Sequence, residues 1–375
     1  MRVKSVVLSL SILVLFLSLP ARAALDFEDH AFPEFVTSAR ALAMGNAYIC
    51  KVDDAWSSFY NPAGLGTVRN PQFHLANLHL EASSGLTKVL GPGPASEIPG
   101  NYMDSFDPTE MRTMLAENKG TLTHSRFNFF PNFTVRGLTL GYMASQRNRA
   151  IINDEDPDPN NALNTFEIAE RRDHGPVMSL SGSLFGGVFK IGASAVYLIR
   201  RDLYKSFGPT APTVVDDEDY KSGKSLQITA GTKLTLPVVL LPTFSAVLRN
   251  ATSAEWASVS DNGGPEKIKQ TIDIGFSITP QISKSARIHM EVNFKDLNNA
   301  YDTDAKRRAA AGMELDFNRR LFVRLGYGDG WGSGGLGVRT RTFIMDLTTY
   351  AVDRSLEGFR EEEDRRWVLS LSSGF

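Results

Sequence analysis

Cysteine is almost missing: Cys50 is the only one among 375 residues. No internal disulfide can form, and a cysteine-rich zinc site is equally excluded. Charge of one sign is also missing, because 40 Lys and Arg face 42 Asp and Glu. The chain therefore carries no basic footprint for nucleic acid. Beyond the N-terminus no stretch approaches the roughly 18 consecutive apolar residues of a spanning helix, so no transmembrane helix is expected. The catalytic signatures H-E-x-x-H, G-x-S-x-G and Walker A do not occur, and the six histidines are scattered. The expectation is a protein without enzymatic activity, cofactor or metal, with a hydrolase at a barrel mouth as the least favoured alternative.

The N-terminus reads as an export signal. Arg2 and Lys4 precede the apolar run Val6–Leu19, and Pro20 leads into Ala21-Arg22-Ala23, an A-x-A cleavage pattern. That run is shorter than the roughly 20 residues of a membrane anchor, and Ala24 stands where a lipoprotein needs cysteine. Residues 1–23 are expected to be removed, which places the protein outside the cytoplasm.

From residue 72 onward the dominant pattern is apolar–polar alternation, the period of a strand whose faces meet different surroundings. Phe189, Ile191, Ala193, Ala195, Tyr197 and Ile199 share one face; Lys190, Gly192, Ser194 and Arg200 share the other with Val196 and Leu198. Ile288, Met290, Val292 and Phe294 likewise oppose Arg287, His289, Glu291, Asn293 and Lys295. Fourteen strands are expected, at about 72–82, 123–136, 137–147, 176–185, 188–200, 225–236, 242–250, 270–280, 286–296, 308–317, 320–328, 334–341, 342–351 and 366–375. Pro131 demands a kink or bulge in the second. Gly328-x-Gly330-x-Gly332-x-Gly334-Gly335 imitates a phosphate loop, but no helix follows it, so it reads as a hairpin turn.

Connections after odd-numbered strands are mostly long and those after even-numbered strands short. An even strand count with that asymmetry is the layout of an outer-membrane barrel. A soluble β-sandwich or lipocalin-type barrel would also alternate. Size separates them, since fourteen strands in one closed sheet enclose more space than side chains can fill. Such a barrel puts lipid outside and polar groups inside. The charges obey this rule: Lys190, Lys233, Asp273, Arg287, Glu291, Glu314 and Arg324 all fall on polar faces. In the last strand Trp367, Leu369, Leu371 and Phe375 share a face, a weak targeting cue.

Residues 24–71 do not alternate. Ser38-Ala39-Arg40-Ala41-Leu42-Ala43-Met44-Gly45-Asn46-Ala47-Tyr48, Val52-Asp53-Asp54-Ala55 and Asn61-Pro62-Ala63-Gly64-Leu65 together resemble the N-terminal signature of the FadL-like and PorV-like outer-membrane barrels. Phe294-Lys295-Asp296-Leu297 and the closing hairpins are similar to the PorV-like branch. The resemblance implies an all-β, fourteen-stranded antiparallel barrel of the bacterial outer membrane, with residues 24–71 as a hatch in the lumen and 72–375 as the wall. It implies two functions. FadL-like members carry fatty acids or hydrocarbons; PorV-like members serve protein secretion or attachment.

Uptake of a hydrophobic small molecule is the favoured expectation, and a docking or secretion-associated platform for surface proteins is the alternative. Expected partners are outer-membrane lipid and lipopolysaccharide, a hydrophobic ligand, and a secreted or surface protein. The gating residues would be Asn46, Asp53, Asp54, Asn61, Pro62 and Gly64, with Asp53 or Asp54 pairing a lumen cation such as Arg287 or Arg324, or else simply capping turns. Arg287, His289, Glu291, Glu314 and Arg324 would form a lumen charge network. Asp107-Pro108-Thr109-Glu110 opens a helix whose apolar face holds Met111, Met114 and Leu115, either lining a capture groove or packing on the rim. The acidic clusters Asp154, Glu155, Asp156 and Asp158, Asp216–Asp219 and Glu361–Asp364 lack EF-hand spacing and read as solvated loop charge.

Overall fold

In an extended chain successive side chains point to opposite faces, so the alternation just described sorts residues into an inner and an outer layer once strands pair. The computed structural model describes residues 25, 35–91, 98–154, 165–354 and 358–374. The expected signal peptide 1–23, the acidic residues Glu155, Asp156 and Asp158, and Phe375 lie outside the described residues. The strands are β1 (Gln72–Ser83), β2 (Thr123–Phe129, resuming as Asn132–Val135), β3 (Leu138–Ile152), β4 (Phe166–Leu184), β5 (Phe189–Phe207), β6 (Lys221–Thr235) and β7 (Thr243–Arg249). There follow β8 (Thr271–Ile278), β9 (Ala286–Phe294), β10 (Ala309–Phe317), β11 (Leu321–Gly328), β12 (Trp331–Arg339), β13 (Phe343–Asp353) and β14 (Glu363–Gly374). Each pairs antiparallel with the next, and β14 returns to β1 through Leu78↔Leu371 and Leu80↔Leu369. The sheet is a closed fourteen-stranded barrel.

The break in β2 falls at Phe130-Pro131, and both halves pair with the same two neighbours, β1 and β3. Proline has no N–H for the ladder, so the strand bends there. Phe130 swings into the interior, where it is fully buried against Trp56 and Phe59.

Strands β3 to β6 run further toward the loop end than alternation suggested: the fourth strand was expected over 176–185 and begins at Phe166. Beyond the lipid both faces meet polar surroundings, so the sequence there, Glu170-Arg171-Arg172-Asp173, keeps strand geometry without alternating. The glycine run is corrected as well. Only Asp329-Gly330 forms the turn, while Gly332, Gly334 and Gly335 belong to β12.

The outer face is apolar. Leu180, Val292, Leu325, Leu336 and Leu347 are each half exposed around the wall. Phe73, Phe133, Phe244, Phe317 and Phe343 ring the short-turn end, and Tyr197, Tyr327 and Trp367 lie toward the loop end. An apolar band between aromatic girdles is the exterior of a membrane-spanning barrel, whose short turns face the periplasm and whose longer loops face outward. No described helix is long and apolar enough to cross a membrane. Leu325, 55 % exposed near the middle of β11, tests this placement. Leu325→Arg is expected to cost about 2–4 kcal/mol, read from urea unfolding in lipid vesicles; an unchanged midpoint would mean that this face does not meet lipid.

Candidate functional site

Irregular backbone can occupy a barrel interior only if its N–H and C=O groups find partners there. Residues 35–71 meet that condition with short pieces: α1 (Ala39–Ala43), α2 (Ser57–Tyr60) and a 3₁₀ turn over Pro62–Thr67. Nearly every residue from Val36 to Gly66 is buried against inward-facing side chains of the wall. Gly45 and Asn46 both take positive φ, which reverses the chain after α1. Gly45 also lies directly on β11: a Cβ there would come within 2.3 Å of the Tyr327 carbonyl oxygen.

The wall satisfies the segment strand by strand. Arg126 on β2 donates to the Phe35 carbonyl at 2.8 Å, and Arg249 on β7 to that of Phe59 at 2.6 Å. Glu291 on β9 accepts the Cys50 and Lys51 amides at 2.7 and 2.9 Å. Ser333 on β12 accepts the Gly45 amide at 2.8 Å and donates to the Ala43 carbonyl at 3.1 Å; Thr348 on β13 donates to that of Ala39 at 2.9 Å. Asn61 spends its whole carboxamide: Oδ1 accepts from Ala63 N, while Nδ2 donates to the Ile49 and Thr232 carbonyls. Pro62 starts the 3₁₀ turn, and a Cβ on Gly64 would strike the Val52 carbonyl.

The charged centre of this packing is Arg40. Its Nε and Nη2 each lie 2.7 Å from the Glu314 carboxylate, and its Nη1 reaches Tyr48 Oη at 2.9 Å, Asp53 at 2.8 Å and Asp54 at 3.3 Å. Glu314 also accepts from Arg324 Nε at 2.8 Å, and Arg324 continues to Asp346. The expected partners of Asp53 and Asp54 are therefore corrected. Neither pairs with Arg287 or Arg324; both meet Arg40 from their own segment, because α1 projects it between them and the wall. Asp54 also caps a turn through the Trp56 amide at 3.1 Å. Of the expected lumen network, Glu314 joins Arg324, and His289 joins Glu291 at 3.0 Å. Arg287 stands apart, on a water-accessible cavity toward the turns.

A second buried cluster escaped the sequence reading. Glu81 on β1 hydrogen-bonds His124 at 2.8 Å, His79 at 3.2 Å and Tyr350 at 2.7 Å, with Arg366 at 3.6 Å. His79 and Glu81 are two apart on one strand face, and that spacing was the available signal. The cluster lies along the seam where β14 meets β1. The Ser83 hydroxyl beside it accepts from the Leu86 and His124 amides, so it is engaged in capping.

Above these layers the 84–122 loop folds down as α3 (Ser84–Leu90), α4 (Ile98–Asp104) and α5 (Pro108–Leu115). Asp107 caps α5 through the Thr109 and Glu110 amides, as its sequence implied. Met111 and Leu115 are buried with Leu86, Ile152, Phe166, Ile168 and Phe207, and Met114 packs against that cluster half-buried. The apolar stripe of α5 faces the barrel mouth, where all three side chains pack against this cluster. Arg112 ties the lid across to the 208–213 loop through the Gly208, Pro209 and Ala211 carbonyls. The acidic run Asp216–Asp219 serves local ion pairs, Asp217 with Arg201 and Asp219 with Lys205.

No family model matches this chain, and no curated protein matches it in sequence. Solved structures similar to it include CdiB from Acinetobacter baumannii, at 8 % identity and a TM-score of 0.37 over 82 % of this chain and 60 % of that one. Outer membrane phospholipase A from Escherichia coli matches at 9 % identity and 0.32, over 80 % and 91 % of the two chains. The translocator domain of autotransporter NalP from Neisseria meningitidis matches at 10 % and 0.35, over 83 % and 91 %. The chain spans less than two thirds of the length of CdiB.

Removing the shared partner of buried charges leaves them desolvated, so Arg40→Met, which strips Asp53, Asp54 and one side of Glu314, should lower the unfolding free energy by about 3–5 kcal/mol. Urea titration of the variant in vesicles measures the loss. At the β11–β12 turn, Asp329 accepts from Arg307 Nε and the Asp353 amide, each at 2.7 Å. Burial pushes its carboxyl up to about 6 against the pull of Arg307. The folded state then holds this proton more tightly than the unfolded chain. Its stabilising contribution is full below the ordinary Asp value and is lost as pH rises through about 6. Asp329→Asn should flatten the fall in urea midpoint between pH 4 and 6; an unchanged slope would exclude Asp329 as its source.

Proposed function

We propose that this protein is a plugged barrel of the bacterial outer membrane that works as a platform for a secreted or surface protein, rather than as a conduit. One observation carries the reading: the N-terminal segment fills the interior and is bonded to side chains on strands around the wall, from β2 to β13. On this reading residues 35–71 act as a fixed hatch, and Asn46, Asp53, Asp54, Asn61, Pro62 and Gly64 hold its shape. On the loop side of the segment the remaining space supports the same conclusion. The apolar cavity between the segment and the wall, lined by Phe35, Phe59, Val196, Ile268 and Tyr301, has a volume of about 50 Å³. Pockets for small molecules occupy roughly 300–1,000 Å³. The long strands β3 to β6 and the tied lid offer a firm raised surface for a partner.

Uptake of a fatty acid or hydrocarbon is the second reading, favoured by the apolar cluster beneath the lid, where Met111, Met114 and Leu115 would release an approaching ligand inward if the lid lifted. Conductance in planar bilayers, combined with native mass spectrometry and lipid analysis of detergent-extracted protein, separates the two. A platform should show no steady open-pore current and should retain a stoichiometric protein partner, lost when the 208–220 loop is replaced by a Gly-Ser linker. A stoichiometric fatty acid or hydrocarbon in the purified barrel, with no protein bound, would overturn the platform reading.

A further inference from the structure

The two halves of the lumen differ in how their charges are balanced. Toward the loops, inward cations have carboxylate partners: Arg200 with Asp173, Arg171 with Asp202, Arg249 with Asp273 and Arg366 with Asp364, all within 2.9 Å. Toward the turns the balance fails. Two cavities there, of about 600 and 360 Å³, share Lys51, Asp53, Thr67, Arg69 and Arg287 on their walls and so form one vestibule. Lys and Arg side chains outnumber carboxylates ten to two along it. One of the two, Asp53, is already held by Arg40 at 2.8 Å and Lys51 at 3.8 Å. Both cations also meet Glu314, at 2.7 and 3.6 Å, which leaves eight cations against Asp316.

Several of these cations are recessed rather than free on the surface. Lys190 and Lys233 are 7 % and 6 % exposed on neighbouring inward positions of β5 and β6, where register sets them opposite each other. Lys233 makes no hydrogen bond or ion pair with any described residue, nor does Arg287 through its side chain. Arg339 lies over the Phe322 ring at 5.4 Å, and its buried Nε has no hydrogen-bond partner. A concave site with one sign of charge and low-dielectric walls focuses its field and concentrates counter-ions. Lys190 Nζ donates to the Gly187 carbonyl, and the like charge of Lys233 on the neighbouring strand adds to the positive field.

We propose that the turn-end vestibule is a binding site for a small soluble polyanion, a compound with clustered phosphate or carboxylate groups arriving from the periplasmic side. Lys51, Arg69, Lys190, Lys233, Arg287 and Arg339 supply the donors, and the space matches a small molecule rather than a folded partner. Arginine forks and lysine point charges both suit these oxyanions. The site stands independently of the platform reading, which concerns the opposite face.

Titration calorimetry of the detergent-purified full chain at low salt tests the proposal, with tripolyphosphate and citrate as probes. Saturable one-to-one binding is expected for at least one, weakening as salt is raised. Binding of tripolyphosphate alone assigns phosphate, and of citrate alone carboxylate. Lys233→Gln combined with Arg287→Gln should weaken binding at least about tenfold, the loss of roughly 1.4 kcal/mol. Arg287→Gln alone, which removes no internal bond, should weaken it measurably and guards against a folding defect in the double variant. Arg354→Gln, at the loop end, should leave affinity unchanged. Absence of saturable binding, or equal affinity in the wild type and both vestibule variants, would overturn the proposal. So would binding of a polyglutamate peptide with neither small anion bound, which would assign the vestibule to an acidic polypeptide.

Discussion

A carboxylate pointing into a barrel has no business there unless something answers it, and Glu314 is answered from both sides: by Arg40 of the inner segment and by Arg324 of the next strand. The barrel's closure creates this constraint. A strand position facing inward cannot reach bulk water once the lumen is filled, so each inward charge must be paired, hydrated in a remaining space, or replaced. Glu314 and Arg324 sit directly opposite in the β10–β11 register, which fixes one pair within the wall. Arg40 then adds the contact that locates the segment. Tyr48, Asp53 and Asp54 converge on its remaining guanidinium nitrogen, so α1 and the turn that follows it are positioned through one side chain.

Backbone satisfaction distributes the same logic around the wall. The inner segment has too little regular structure to pair its own amides and carbonyls, and the wall supplies Glu, Ser, Thr and Arg where they emerge. Close approach is needed for those bonds to form. On β11 and β12 it is met by small residues, so that Met44, Gly45 and Ala43 lie almost on the sheet. The packing requirement falls on Gly312, Gly326, Gly328 and Gly335, where a Cβ would strike Met44, Gly45 or Ala43.

Fold class was legible because lipid enforces a strict rule. Every position on one face of Phe189–Ile199 or Ile288–Phe294 must be apolar, and periodicity reports that directly. The same rule stops at the membrane surface, so the upward extension of β4 through Glu170 and Asp173 left no periodic trace. The inner segment was legible as irregular and glycine-punctuated, and Asn61, Pro62 and Gly64 do form a tight turn. The partner of Asp53 was not legible. Charge type alone cannot distinguish Arg40, thirteen residues earlier in the same segment, from Arg287 or Arg324 on the wall. Nor could sequence join Glu81 to Tyr350 and Arg366, whose meeting requires the last strands to close on the first.

The lid shows why a helical motif fixes structure before it fixes function. Asp107, Pro108 and the stripe Met111, Met114 and Leu115 specify a capped amphipathic helix, but an apolar stripe is equally satisfied by a ligand or by Leu86, Ile152 and Phe166. The deciding contact lies elsewhere. Arg112, on the polar side of the same helix, reaches three carbonyls of a loop about a hundred residues away and holds the stripe against the barrel mouth. Opening the lid must break those charge-assisted bonds and expose the apolar cluster together, two costs of opposite chemical character that no single apolar ligand offsets. A ligand contacting only the stripe would replace the apolar contacts and leave the Arg112 clamp unanswered.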